Sequence, residues 1–197
     1  MFGKRMPTTR KLRSDRRGAT AVEFALIATP LFILVFGLIE LMLIFLISSA
    51  LENGVAEISR DLRTGEFQFA NNGQPLDQQE QAFRNIICQN VFDLFPCASN
   101  LEVDVQNFGS FGDITTPSPI VPTGGTLSNG AIATTPTFDP GLNRFSTGLA
   151  EEIVVVRAFV EWQILTLLIA PVVANLGTDR VLLQATTAFR NEPFPDP

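Results

Sequence analysis

Residues 25–47 constrain this chain more than any other feature. Of these 23 residues, 19 are Ala, Val, Ile, Leu, Met or Phe; the exceptions are Thr29, Pro30, Gly37 and Glu40. As a helix the run is about 35 Å long, enough to cross a hydrocarbon core of about 30 Å. A core helix in a small domain is rarely apolar on every face. The run therefore predicts a transmembrane helix from Ala25 to Ile47, kinked at Pro30. It is longer than the roughly 7–15 apolar residues of a secretory signal, which argues against cleavage at the small residues Ser48-Ser49-Ala50. The flanks set the direction. Seven of the 14 basic residues lie in the first 17 positions (Lys4, Arg5, Arg10, Lys11, Arg13, Arg16 and Arg17), opposed only by Asp15. From Ala19 onward there are 7 basic and 19 acidic residues, so the net charge of −6 combines a cationic head with an acidic body. The positive-inside bias places the N-terminus in the cytoplasm and exports the body.

Two carboxylates accompany the run: Glu23 just before it and Glu40 inside it. A carboxylate at bilayer depth is costly and by default marks a function or a partner. The plainer alternatives are an interfacial side chain for Glu23 and a protonated or snorkelling one for Glu40. No cation in the chain is placed to pair with Glu40.

The entry to the span reads Arg16-Arg17-Gly18-Ala19-Thr20-Ala21-Val22-Glu23-Phe24. A basic leader, a glycine, four small or apolar residues, a glutamate and an aromatic residue together resemble the type IV prepilin processing site. The resemblance implies that a prepilin peptidase cuts between Gly18 and Ala19, leaving Glu23 as the fifth residue of the mature chain. Gly18 leaves the backbone open to a protease, and the cut creates a new ammonium at Ala19. A buried Glu23 in a helical bundle is tolerable only if paired. The resemblance implies that its partner is the ammonium of a neighbouring subunit. Other stretches narrow the family. Ile58-Ser59-Arg60-Asp61-Leu62-Arg63-Thr64-Gly65, the strand-like Val154 to Trp162, the ending Phe189-Arg190-Asn191-Glu192-Pro193-Phe194 and the paired Cys88 and Cys97 are similar to TadE-like proteins of the Tad (tight adherence) pilus system. The likeness weakens over 109–148. It implies a pilin-like α+β fold and a pseudopilin or minor pilin of the bacterial inner membrane. The expected partners are the prepilin peptidase, the major Flp pilin, other pseudopilins and platform proteins. The length suits a TadE- or TadF-like chain better than a TadG-like one.

This divides the chain into a leader over 1–18, a transmembrane helix over 19–49 and an exported domain over 50–197. Leu51, Val55, Ile58 and Leu62 form one helical stripe, which extends the membrane helix to Arg63, with Gly65 as its stop. Half of that helix belongs in lipid and half on the body. A second helix is expected over 77–95, with Asp77 and Glu80 as a capping box. Phe83, Ile86, Ile87, Val91, Leu94 and Phe95 make its apolar face, and Pro96 ends it. On the exported side Cys88 and Cys97 should form a disulfide worth about 2–3 kcal/mol; the alternative is two unpaired structural thiols. Strands are expected at 101–106, 152–162 and 181–190, making a small antiparallel sheet with one face on the long helix. Between the first two, 24 of the 40 residues in 109–148 are Gly, Pro, Ser or Thr, which predicts a long extended loop or loose hairpin. The apolar run 164–176, broken by Pro171, is too short to span a membrane alone. It is expected to connect one sheet to another, packed on the core or resting on the bilayer surface.

The residue inventory excludes much chemistry. There is no histidine, so there is no Ser-His-Asp or Cys-His nucleophile and no His-containing zinc site, and two cysteines are too few for an all-thiolate one. Glu151 and Glu152 should point to opposite faces of a strand, while Glu102 and Asp104 share what reads as its solvated side. Gly124-Gly125 lacks the Gly-Lys-Ser/Thr of a phosphate loop. No enzyme activity, cofactor, metal or small-molecule substrate is expected. An acidic body argues against nucleic acid. The alternative function is an uncleaved single-pass anchor that presents an exported binding domain.

Overall fold

The structure is a computed structural model that describes residues 18–89, 91 and 97–195. The basic residues of the expected leader, and Leu94, Phe95 and Pro96, lie outside the described residues.

The first element, α1, is a helix over Ala19–Thr64. By length and composition it can cross a membrane. It contributes to two compact units, which divide between Ile39 and Glu40. In the first unit the helix turns its apolar side chains outward: Phe24, Leu26, Ile27 and Phe32 are all exposed. Pro30 lies inside α1, and the Thr29 hydroxyl donates to the Ala25 carbonyl at 2.7 Å.

The second unit is α+β. Strands β1 (Leu101–Phe108), β4 (Ile153–Gln163) and β5 (Arg180–Arg190) form an antiparallel sheet in the order β1-β4-β5. Leu101 pairs with Val160, and Val160 with Leu183. Alternate residues of each strand (Val103 and Val105, Val154 to Val160, Leu183 and Ala185) face the core, where Ile47, Leu51, Val55, Ile58 and Leu62 of α1 meet them. Each of the Val, Leu and Ile side chains, fully buried, contributes about 1.5–3 kcal/mol. The stripe on α1 is the one its periodicity predicts.

Three short helices follow α1: α2 (Glu66–Ala70), α3 (Leu76–Gln89) and α4 (Cys97–Asn100). A Cβ at Gly54 would lie 2.9 Å from the Ile87 carbonyl, so the missing side chain is what lets α3 approach α1. The expected capping box is not built. Helix α3 starts at Leu76, directly after Pro75, whose fixed φ suits a helix start. Asp77 is therefore inside its first turn, and Glu80 accepts from Arg84 one turn on. Helix α3 is described over Leu76–Gln89, Val91 lies outside it, and the rest of the expected stretch to 95 falls outside the described residues. Cys88 and Cys97 are at disulfide distance, with Cα atoms 5.7 Å apart, and would tie α3 to α4.

Of the two alternatives for the excursion 109–148, the structure shows the hairpin. It contains the paired strands β2 (Ile120–Val121) and β3 (Thr137–Phe138). Ile120 and Phe138 pack on Phe159, Leu176 and Leu182 in a second small core. The sheet is thus covered on both faces, and β4 is buried continuously from Ile153 to Val160. That explains why its sequence is apolar without alternation, apart from Arg157. The run 164–176, with the short helix α5 (Ala170–Val173), joins β4 to the neighbouring β5 and not one sheet to another.

Candidate functional site

Gly18 is exposed, and a Cβ added to it would meet nothing within 4 Å. The backbone is open on both sides of the expected cut, because Ala19 and Thr20 are exposed too. Helix α1 begins at Ala19, which puts Ala19 and Glu23 one turn apart on the same face. Glu23 and Phe24 both face outward, and among the described residues Glu23 has no ion-pair partner.

Glu40 behaves differently. It is 2 % exposed and stands at the start of the second unit. Its Oε1 accepts from the Trp162 indole N–H at 3.0 Å and from the Leu165 N–H at 3.2 Å. Its Oε2 accepts from the N–H groups of Leu165 (3.1 Å) and Thr166 (3.0 Å) and from the Thr166 hydroxyl (3.2 Å). Among the described residues no cation is involved. A cluster of N–H and O–H donors, two of them backbone, stands in for one, and it is a set that an acceptor-rich group such as a carboxylate satisfies. The carboxylate pins the end of β4 and the chain after it to α1. Sequence reasoning looked only for a basic partner. The one available hint was Trp162 leading into an apolar stretch with a hydroxyl at Thr166.

A second buried carboxylate was missed altogether. Asp104, expected on a solvated face, is fully buried, and so is its cross-strand neighbour Arg157. Asp104 accepts from Arg157 Nε (3.0 Å) and Nη2 (2.5 Å), from Arg144 Nε (3.0 Å) and from Gln106 Nε2 (2.8 Å). Arg157 Nη1 donates to the Pro117 carbonyl at 2.8 Å. This network fixes the excursion to the sheet. Glu102 is engaged by Arg84. Glu151 precedes β4 with a left-handed φ of 64°, and Glu152 accepts from Asn107 and from the Leu149 N–H. Asp104, Glu102 and Glu152 are thus engaged in contacts within the fold. Among the described residues, no group of three or more Cys, Asp or Glu is placed to hold a metal.

Two stretches far apart in sequence meet at the end of α1. Gly65 has φ +82°, and the Phe194 ring lies over it, 2.7 Å from where a Cβ would stand. The Glu192 N–H donates to the Arg63 carbonyl at 2.8 Å, and Gln68 Nε2 donates to the Leu62 carbonyl at 3.2 Å. Glu192 thus satisfies the Arg63 carbonyl, which the helix terminus leaves open, and Gln68 of α2 adds a donor to the Leu62 carbonyl. On the last turn, burial raises the pKa of Asp61, and the negative charges of Glu66 and Glu57 add to it while Arg60 partly offsets it.

These features define a class: a chain with one membrane-length N-terminal helix that continues into a small α+β domain, with an open glycine-to-glutamate entry motif. Residues 18–60 match the model of the TadE-like protein family, so the stretch from Gly18 through α1 to Arg60 is TadE-like. No curated protein and no solved structure matches the chain.

Proposed function

We propose that this chain is a pseudopilin or minor pilin-like component of the Tad (Flp) pilus system. The observation that carries this is the TadE-like match over 18–60, which takes in the Gly18-to-Phe24 motif and most of the long helix. In this proposal residues 1–18 are a cytoplasmic leader removed by a prepilin peptidase after Gly18. The helix sits in the inner membrane, and the α+β domain lies on the extracytoplasmic side. There Cys88 and Cys97 are cross-linked. The partners are other pilus components, and the protein's role is structural, not catalytic.

The accessibility of Gly18 and the absence of a partner for Glu23 among the described residues support processing and assembly respectively. Leader removal also deletes the charges that would resist lifting the helix out of the bilayer. The test is the mature N-terminus, read by mass spectrometry. A chain starting at Ala19, lost in Gly18→Asp, supports the proposal. An intact leader in cells that assemble pili sinks it and leaves an uncleaved anchor presenting a binding domain. Glu23→Ala should still be cleaved but should fail to assemble.

A further inference from the structure

The connection between β4 and β5 is unusual in what it exposes. From Gln163 to Thr178 it carries no charged residue. Ile164, Ala170 and Leu176 turn inward and are buried. Leu165, Leu167 and Leu168 point outward and are 70, 70 and 67 % exposed, and Val172 is 88 % exposed. Surface leucines clustered this way mark a contact with something apolar.

Glu40 says where this face lies. Its carboxylate holds the N–H groups of Leu165 and Thr166, so the start of the connection stands beside the α1 turn that carries Glu40. That turn falls inside the 23-residue apolar run, and the next one presents Met42 and Phe45, also exposed. Trp162, half-buried at the same place, is a residue type that membrane interfaces favour. Met42 and Phe45 lie on the α1 face away from Glu40, so the outward leucines begin at a level along the helix where its own apolar side chains are still exposed, and they need no charge-reading partner.

We infer that the β4–β5 connection is a second membrane-contacting element. Its outward Leu165, Leu167, Leu168 and Val172 enter the headgroup–acyl boundary of the bilayer beside α1, with Glu40 setting their depth. Apolar faces of this kind sit about 5–10 Å into that boundary. The inference rests on α1 crossing the membrane. It gives the exported domain two attachments instead of one, and so fixes the face it turns to the membrane.

The test uses the full chain in phosphatidylcholine vesicles. An environment-sensitive fluorophore is attached at Val172→Cys or, independently, at Leu168→Cys. Thr116→Cys, on the exposed excursion, is the control, and the parent chain labelled in parallel sets the background. At 172 and 168 we expect blue-shifted emission, quenching by lipids brominated on the acyl chains and protection from aqueous iodide. At 116 we expect the reverse. Iodide access at 172 and 168 equal to that at 116, in protein that resists alkaline extraction, overturns the inference and leaves the membrane helix standing. Protection from iodide without quenching by brominated lipid overturns it in favour of a second copy covering the face. Protein released by alkaline extraction overturns the membrane assignment of α1 and the inference with it.

Discussion

Replacing Glu40 tests the link between the helix and the domain. Glu40→Ala removes the acceptor for the Trp162 indole N–H, the Leu165 and Thr166 N–H groups and the Thr166 hydroxyl. The hydroxyl can rotate to another acceptor, but the three N–H groups cannot. A buried donor left unmet costs about 1–3 kcal/mol, and water entering the vacated space will satisfy part of the set, which puts the loss at about 3–5 kcal/mol. For a domain of this size each kcal/mol moves Tm by about 2–4 °C, so the expected fall is about 6–20 °C. Glu40→Gln keeps one oxygen and turns an NH2 group toward the remaining donors, so it should recover no more than half of the loss. The chain has one tryptophan and no tyrosine, so Trp162 reports on the contact directly. Thermal unfolding in detergent micelles, followed by its emission, gives both the native-state spectrum and the midpoint. Glu52→Ala, exposed on the same helix, controls for loss of charge and should change stability by under about 0.5 kcal/mol. If both Glu40 variants melt within about 2 °C of the parent with unchanged emission, the carboxylate does not hold the 162–166 segment.

Asp104→Ala strands the buried Arg157 and should cost about 3–5 kcal/mol, whereas Arg144→Ala, at a half-exposed partner, should cost under about 1 kcal/mol. Equal melting of the two variants would refute the buried network. Gly65→Ala forces a left-handed φ on a residue with a Cβ, at about 1–2 kcal/mol, and must displace Phe194. Faster proteolysis of the chain's end should show it, and an unchanged digestion pattern would count against the seal. Asp139 has a lowered pKa: burial opposes its charge, but hydrogen bonds from Ser128 and from the Gly141 N–H outweigh it. A depressed carboxyl contributes stability that is fully present above its unfolded value and is lost as pH falls through the folded one. Amides of 120–141 should therefore lose hydrogen-exchange protection, corrected for intrinsic rates, as pH drops below the usual carboxylate range. Asp139→Asn should flatten that dependence, and a parent profile already flat would refute it.

What was legible in the sequence was mostly periodic. The stripe on α1 and the inward residues of three strands follow from spacings of 3.6 and 2, and the stop at Gly65 from glycine's ease with a left-handed φ. The excursion 109–148 has no period, because its chain is held by turns and by single contacts such as Ile120 and Phe138 on Phe159. That omission caused the error at Asp104. Alternation assigns Glu102 and Asp104 to one solvated face, and this holds only if nothing covers it. Arg157, a lone charge in an apolar strand, was the overlooked sign that a buried partner existed. The clamp on Glu40 was invisible for another reason. Two of its donors are backbone N–H groups more than 120 residues away, and those carry no residue identity.

The two carboxylates near the membrane therefore do different work. Glu40 sits in the same apolar run that makes a lone charge expensive, yet its oxygens are occupied from within its own chain. A neighbouring subunit that reached it would have to break contacts that also hold the domain. Glu23 has no such obligation among the described residues: it lies exposed, one turn after Ala19, where cleavage would create an ammonium on every copy. In a bundle of such helices, each Glu23 seeks a cation and each processed N-terminus seeks an anion, so one pairing settles both costs and fixes the axial register. The proposed assembly role therefore falls to Glu23, while Glu40 holds the 162–166 segment within its own unit. Loss of Glu40 should weaken the domain before it affects pairing between helices, and loss of Glu23 should leave the domain intact. Trp162 emission separates the two, because only the Glu40 variants should move it.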